Sequence, residues 1–260
     1  MKLLALETTD ATGSVAIFED GRLVLYAPLP KTQRSAQSLA PAIKRLLDDA
    51  TTPPRCVDVV AVAVGPGSFT GLRVGIATAK AFAWAVGARV VGVDSLDAIA
   101  FELDAVALDL ATSPSGRAIV SLGIDAQRGD AAVRDYLFER DAAGARTRPR
   151  RLFDEYRVLS HDAWFDVASR STSASSREAL PVFFGGSALA RVKNLSTRLQ
   201  PGVVLTEQTW RPTAVGVGRV GSLRAGAEDF DDVWRLLPSY SRRAAAEEKA
   251  LERERAGETR

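Results

Sequence analysis

The sequence is poor in the residues that build disulfides and metal clusters. Its 260 residues include one cysteine, Cys56, and one histidine, His161. One cysteine cannot form an intrachain disulfide, and these two residues cannot supply a Cys/His metal cluster. A lone thiol is typical of a reducing compartment. We expect a buried structural role for Cys56 and a surface or helix-capping role for His161.

Long apolar runs and an excess of one charge are also missing. Lys and Arg total 34 against 32 Asp and Glu, a net charge of +2, which gives no general attraction to nucleic acid or anionic membranes. No apolar run approaches the roughly 20 residues of a membrane span, and the first residues lack the pattern of a secretory signal. With 46% apolar and 25% charged residues, we expect a globular, soluble, cytoplasmic protein without a membrane partner.

Hydrophobic patterns predict an α/β order over the first hundred residues. Asp20-Gly21 joins two β-rich runs, which is a strong hairpin signal. The predicted strands are 2–8, 14–19, 22–27, 57–64 and 89–93, and the predicted helices are 37–50, 70–86 and 95–102. Strand 57–64 is continuously apolar, as in a strand that is buried on both faces.

The second half repeats this order more weakly. Its predicted strands are 118–125, 131–139 and 182–184, and its predicted helices are 162–169 and 187–195. A loop at 111–116 separates the halves. We therefore expect an N-terminal lobe at 1–108, a smaller C-terminal lobe at 109–243 whose last helices can return to the first lobe, and a flexible charged tail at 244–260. An arginine-rich segment at 140–157 has no assigned role.

The most specific motif is the stretch Gly65-Pro66-Gly67-Ser68-Phe69-Thr70-Gly71-Leu72-Arg73. A buried strand, a glycine turn and a helix N-terminus form the layout of a phosphate loop. The stretch has neither the Walker pattern nor the dinucleotide glycine spacing. The alternative is a tight turn in which glycines allow close packing, and the spacing alone leaves both open.

The predicted helix 70–86 has a small residue at every fourth position, in the series Gly71, Gly75, Ala79 and Ala83. Its polar residues are sparse, so it should be covered on more than one side. Either the chain's own core or a partner protein could supply that cover. The sequence leaves these alternatives open.

Carboxylates are the remaining candidates for chemistry. One histidine gives no convincing Ser-His-Asp arrangement, but Glu7, Asp10, Asp94 and Asp125 could serve a metal or acid–base site if the fold joined them. The first loop, 7–14, resembles the phosphate loop of actin-like and sugar-kinase-like ATPases.

Six motifs together resemble the bacterial TsaB (YeaZ) family. They lie at 3–9, 65–73, 77–80, 124–130, 184–188 and 237–242. The match is near-literal across 65–80, good over 1–100 and looser to about 243. The resemblance implies a two-lobed α/β fold of the ASKHA class (actin, Hsp70 and sugar kinases) with a duplicated β-β-β-α-β-α order and a smaller second lobe.

The resemblance also implies a function. Family members are non-catalytic scaffold or dimerization subunits that bind and activate TsaD, which transfers threonylcarbamoyl to N6 of the adenosine next to the tRNA anticodon. The implied partners are TsaD in a heterodimer, the ATPase TsaE, tRNA through the complex, and a second copy when the chain is alone. No intrinsic cofactor, metal or catalytic residue is implied, and ATP or ADP and Mg²⁺ enter only through the complex.

The family's contact with TsaD is a bundle of the first two helices of each lobe, here 37–50 and 70–86. The implied contact residues are Leu39, Ile43, Leu46, Leu47, Phe69, Leu72, Arg73, Gly75, Ile76, Ala79 and Phe82. A weaker implication is a nucleotide site made of Glu7, Thr8, Thr9, Asp125, Gly185 and Gly186.

Two alternatives remain at this stage. An independent ASKHA-type, ATP-dependent enzyme would line its cleft with Glu7, Asp125 and the glycines at 185–186. An M22-type peptidase homologue would require metal ligands. TsaD uses two histidines for its metal, and this sequence has none in that region, with Ser35 where family members often have histidine. This absence disfavours the transferase and peptidase roles.

Overall fold

The computed structural model describes residues 1–30, 32–33, 35–105, 116–141, 143–145, 147–170, 180–195, 204–205 and 207–241. The strands in these ranges are β1 Lys2–Glu7, β2 Ser14–Glu19, β3 Arg22–Pro28, β4 Val59–Gly65, β5 Arg89–Asp94, β6 Arg117–Asp125, β7 Asp130–Glu139, β8 Arg150–Arg151, β9 Arg157–Ser160 and β10 Val182–Gly185. The α-helices are α1 Ser35–Asp49, α2 Phe69–Val86, α3 Ser95–Ala105, α4 His161–Arg170 and α5 Ala214–Gly226.

The first sheet has the strand order β3-β2-β1-β4-β5. The strands β1, β2 and β3 pair antiparallel, and β4 and β5 continue the sheet in parallel with β1. The β2–β3 turn has positive φ at Asp20 and Gly21, 48° and 76°, as the predicted hairpin requires. The apolar run of β4 is buried on both faces of the sheet, as its composition predicts.

Helices cover both faces of this sheet. On one face α1 and α2 pack on β1, β2 and β4 through residues such as Leu46 and Ile76, with Leu4 and Val60 beneath them. On the other face α5 contributes Val217 to a cluster that includes strand residues and one α3 residue. The first lobe is therefore a helix–sheet–helix sandwich.

The second sheet has the order β10-β6-β7-β8, and β9 also pairs with β7. Nine residue pairs join β6 to β7 antiparallel, and β10 runs parallel to β6. Trp164 and Phe165 of α4 pack on one face. Leu96 and Ile99 of α3 pack on the other face, so α3 lies between the two sheets and joins the lobes.

The predicted strands and the helices α1 to α4 are confirmed to within three residues at each end. The helix predicted at 187–195 is wrong. Residues Ser187–Arg191 form a short 3-10 helix, because the backbone becomes extended at Val192, whose side chain is buried in the cluster under α4. The predicted lobe boundary at 108/109 and the tail 244–260 lie outside the described residues.

The sequence pattern does not predict α5, because four glycines lower the helix propensity of this segment. The packing explains them. A Cβ at Gly216 would collide with the Ala98 carbonyl, and one at Gly221 with the Ala61 side chain. Close approach to α3 and to the first sheet therefore requires these glycines, and α5 packs on the first lobe.

Both expectations for the rare residues need correction. Cys56 is exposed, since it ends a 3-10 turn, Pro54–Cys56, before β4 begins. His161 is buried at the start of α4, and the cap is Ser160, whose Oγ accepts a hydrogen bond from Ala163 N–H. Within the described ranges, none of the helices combines the length and the apolar character needed to cross a membrane.

Candidate partner interface and inter-lobe cleft

The glycine stretch at 65–73 packs against the loop that follows β1. Ser68 N–H donates to the Thr9 carbonyl at 2.7 Å, and the Thr8 hydroxyl donates to the Gly71 carbonyl at 2.8 Å. A Cβ at Gly71 would overlap the Thr8 carbonyl oxygen, and one at Gly67 would press on Thr9. Of the two interpretations left open by the spacing, the geometry supports close packing.

Glu7 lies at the end of β1 with no exposed surface. Its Oε1 accepts hydrogen bonds from the Thr9 N–H and, at 2.7 Å, from the Thr9 hydroxyl. Its Oε2 is buried without a hydrogen-bond partner among the described groups. Burial raises the pKa of Glu7 to about 8, so the carboxyl is mostly protonated at neutral pH. In this conformation Glu7 is a buried group whose hydrogen bonds to Thr9 stabilise the loop after β1.

The other predicted nucleotide residues lie in the second lobe. Gly185 and Gly186 are buried beside Leu122 and Gly123 of β6. Asp125 lines a polar cavity of about 580 Å³. Its carboxylate is 3.4 Å from His161 Nε2 and 3.4 Å from Arg191 Nε.

The six predicted nucleotide residues therefore form two groups. Glu7, Thr8 and Thr9 pack with the glycine stretch in the first lobe, and the others pack in and around the second sheet. In the described part of the chain, no hydrogen bond or ion pair joins the two groups. The His, Cys, Asp and Glu residues of the described ranges form no group of three or more that could hold a metal ion.

Most of the predicted partner-contact residues are buried among residues of this chain. Those with at most 5% exposure are Leu39, Ile43, Leu46, Leu47, Leu72, Ile76 and Ala79. Gly75 is also buried, with Thr8 Oγ1 against it. These residues pack mainly within the first lobe, and Ile43 and Leu47 also line a groove between α1 and α2.

The three remaining residues are more accessible, and two of them contact Tyr240. The ring of Phe69 stacks on Tyr240 with centroids 4.7 Å apart. Arg73 lies 3.8 Å above the Phe69 ring and donates from Nε to the Tyr240 Oη at 3.0 Å. Phe82 is half-buried and lines a groove between α1 and α2.

The surface that α1 and α2 expose combines small apolar residues with polar and charged ones, and most of the charged ones lie on α1. On α1 it includes Ala36, Ala40 and Pro41 near the N-terminus, and on α2 it includes the series Ala77, Ala81 and Ala85. Trp84 projects from α2 with 72% of its surface exposed. We call these seven residues the outer face of α1 and α2. The i, i+4 spacing of these α2 alanines is visible in the sequence. The buried series on the same helix has the same spacing, so the spacing alone does not show which series is exposed.

The groove beside this outer face has a volume of about 480 Å³. Its lining residues are Ala40, Ile43, Lys44, Leu47, Asp48, Pro54, Thr78, Ala81 and Phe82. The charged pair Lys44–Asp48 is confined to one edge, with Nζ 2.5 Å from Oδ2. An apolar floor with a charged rim is the usual anatomy of a protein-binding surface.

Two sheets joined by a shared helix, with helices on the outer faces, define the two-lobed ASKHA class. A crystal structure described as YeaZ from Pseudomonas aeruginosa has the same fold, with a TM-score of 0.66 and 24% identity over 92% of this chain and 99% of that chain. A second structure, of a Pseudomonas aeruginosa protein with similarity to peptidase YeaZ, has a TM-score of 0.67 over 93% and 99% of the two chains, also at 24% identity.

Sequence relatives point to a particular family within this class. TsaB of Bacillus subtilis is 26% identical over 255 residues, covering 97% of this chain and 99% of its own. TsaB of Escherichia coli is 29% identical over 144 residues, 55% of this chain and 58% of its own. An uncharacterized Mycobacterium tuberculosis protein is 48% identical over 99 residues, 37% of this chain and 47% of its own.

A family model described as "TsaD: tRNA N6-adenosine threonylcarbamoyltransferase" matches residues 27–137. This range includes α1, α2 and α3 of the first lobe. The chain is thus similar to TsaB along almost its whole length and to TsaD over part of it. The resemblance to the TsaB (YeaZ) family is confirmed.

Proposed function

We propose that this chain is a non-catalytic subunit in the biosynthesis of threonylcarbamoyladenosine in tRNA. It binds and activates a TsaD-type transferase through the outer face of α1 and α2. Support comes from the full-length relative named as a biosynthesis protein for this nucleoside and from the match of the TsaD family model over 27–137.

The observation that carries the proposal is the composition of the outer face. Across the 18 residues of α2, the charged side chains are Arg73, which lies on Phe69, and Lys80, which donates to the Trp234 carbonyl at 3.2 Å. An exposed helix face normally carries charges, whereas this one carries alanines and a tryptophan. An apolar patch with a protruding aromatic residue is typical of a protein interface.

Small residues on this face favour one kind of partner. Alanines at every fourth position let a second helix approach closely, with its ridges in the groove between α1 and α2. A TsaD-type partner with the same fold has the same two helices, so a four-helix contact could form. When the partner is absent, we expect two copies of this chain to form a homodimer through the same face.

In this proposal the reacting groups belong to the partner. ATP or ADP, Mg²⁺, the ATPase TsaE and tRNA act through the complex, and this chain supplies a rigid surface. The complex acts in the cytoplasm, where an exposed, unpaired Cys56 stays reduced.

Co-purification with the TsaD of the same organism tests the proposal. We expect Ala81→Glu to abolish the complex, because it places a charge at the centre of the outer face, next to the groove. The matched control is Ala163→Glu, the same change at an exposed position on α4. The free energy of unfolding of both variants should lie within about 0.5 kcal/mol of the wild-type value, since surface substitutions are usually neutral.

Failure of the wild-type chain to bind TsaD would contradict the proposed function. Unchanged binding by Ala81→Glu would place the contact on another surface. Reconstituted threonylcarbamoyl transfer to tRNA should need this chain together with TsaD and be lost with Ala81→Glu. Turnover of Mg·ATP by the isolated chain would instead favour an independent enzyme.

A further inference from the structure

A cluster of buried charges joins the two lobes. We define the inter-lobe ionic cluster as the residues Asp94, Asp97, Arg134, Tyr136 and Arg151. Asp94 ends β5 of the first sheet, and Asp97 lies in the first turn of α3. The other three lie on the neighbouring strands β7 and β8 of the second sheet. The cluster therefore crosses from one sheet to the other.

The bonds in the cluster converge on the two aspartates. Arg134 Nη1 lies 2.8 Å from Asp94 Oδ2 and 3.5 Å from Asp97 Oδ1. The Tyr136 hydroxyl donates to Asp97 Oδ1 at 2.7 Å. Arg151 binds Asp97 in a bidentate pair, in which Nε donates to Oδ1 at 2.9 Å and Nη2 donates to Oδ2. Paired guanidinium–carboxylate bonds of this kind constrain distance and direction together.

The burial of these groups makes their geometry important. The side chain of Arg134 is 3% exposed, and that of Asp97 is 9% exposed. Taking ions out of water costs about as much as their attraction returns, so such a cluster adds little net stability. It does penalise every arrangement of the lobes in which the charges would separate while still buried.

Further contacts tie the segment that carries Arg151 to its surroundings. Leu152 N–H donates to the Asp135 carbonyl at 2.9 Å, and Arg134 Nη2 donates to the Asp154 carbonyl at 3.0 Å. The Tyr156 hydroxyl lies 3.4 Å from Ser239 Oγ, in the segment that packs beside α2. Residues 150–157, within the arginine-rich stretch, thus touch both lobes.

We infer that residues 150–157 are a latch that fixes the angle between the two lobes without any bound ligand. The apolar contact of α3 with the second sheet already holds the lobes together. Apolar contact is not directional, however, and it tolerates sliding. The two-pronged bond of Arg151 and the bonds of Arg134 select one orientation. This inference does not depend on the proposed function.

A distance measurement between the lobes tests the latch. Cys56 is exposed on the first lobe and is the sole cysteine of the chain, so it accepts a spin label. Ala163→Cys supplies a second label on α4 of the second lobe. We expect one narrow distance distribution in the full chain, and a broader or double one when Asp97→Asn is added.

The matched control is Glu139→Gln. Glu139 Oε2 also pairs with an arginine, Arg117 Nε at 3.4 Å, but both residues belong to the second sheet and lie outside the latch. This variant should keep the narrow distribution. Far-UV circular dichroism and a cooperative melt check that each labelled protein is folded.

If Asp97→Asn does not fold, Arg151→Gln replaces it, because the Arg151 side chain is 39% exposed and loses less on substitution. A wild-type distribution in a folded latch variant would overturn the inference. So would equal broadening in Glu139→Gln, or a distribution that is already broad without substitution. Loss of folding in both latch variants would also overturn it, because the cluster would then act on stability and not on orientation.

Discussion

Helix α2 carries small residues on two faces, and the residues that the structure describes cover one of them and leave the other exposed. The inner series, Gly71 to Ala83 at every fourth position, lies against the first loop and the sheet. The outer series, Ala77 to Ala85, is exposed beside Trp84. The same residue size thus serves close packing within the chain on one side and, in our proposal, close packing with a partner on the other.

The largest effect should come from enlarging the inner series. Gly71→Leu would drive a side chain into the Thr8 carbonyl, which belongs to the backbone and cannot rotate away. We expect a loss of about 3 kcal/mol or more, in the range of severe overpacking. Chemical denaturation measures it, and a stable, native-like variant would contradict the tight contact between this helix and the first loop.

A smaller effect should come from emptying the inner side. Ile76→Ala removes a side chain that is 5% exposed in the core under α1 and α2, and should cost about 2–5 kcal/mol. Trp84→Ala on the outer face is the matched control and should change stability by about 0.5 kcal/mol or less, since that side chain is 72% exposed. Similar losses of unfolding free energy in both variants would contradict the assignment of Ile76 to a buried face and Trp84 to an exposed one.

A pH-dependent effect concerns the loop that packs against the inner series. The pKa of Glu7 is raised to about 8 by burial, from an ordinary 4.5. The folded chain therefore holds this proton more tightly, so its contribution is full below about pH 4.5 and is lost as the pH rises toward 8. The slope is at most about 1.4 kcal/mol per pH unit.

Glu7→Gln should remove this slope. Relative to the wild type, the variant should gain stability steadily between pH 5 and pH 8, as thermal melts in matched buffers would measure. A constant difference between the two proteins across that range would mean that folding does not raise the pKa of Glu7.

Patterns that act over a few residues were predictable. The Asp20-Gly21 hairpin, the buried strand β4 and the helices α1 and α2 follow from turn chemistry and apolar spacing. Features that depend on distant neighbours were not. Helix α5 contradicts its own propensity because glycines fit it against Ala98 and Ala61, which lie more than a hundred residues earlier.

The candidate surface shows the same division. The sequence showed that α2 is unusually apolar, and the family resemblance implied a partner contact at Leu39, Ile43 and Ile76, which are buried in this chain. Spacing defines stripes on a helix without stating which stripe meets the sheet. The exposed alanines and Trp84 could be located only after the helices were packed.

The sequence by itself determined the element order of the first hundred residues, the hairpin, the resemblance to TsaB and the scarcity of cysteine and histidine, because each depends on composition, local chemistry or a long literal motif. Tertiary structure alone decided which face of α2 is exposed, where α5 packs, and that Arg151 reaches Asp97 across 54 residues. Those outcomes depend on how the two sheets and their shared helix are arranged in space, and no local pattern encodes that arrangement.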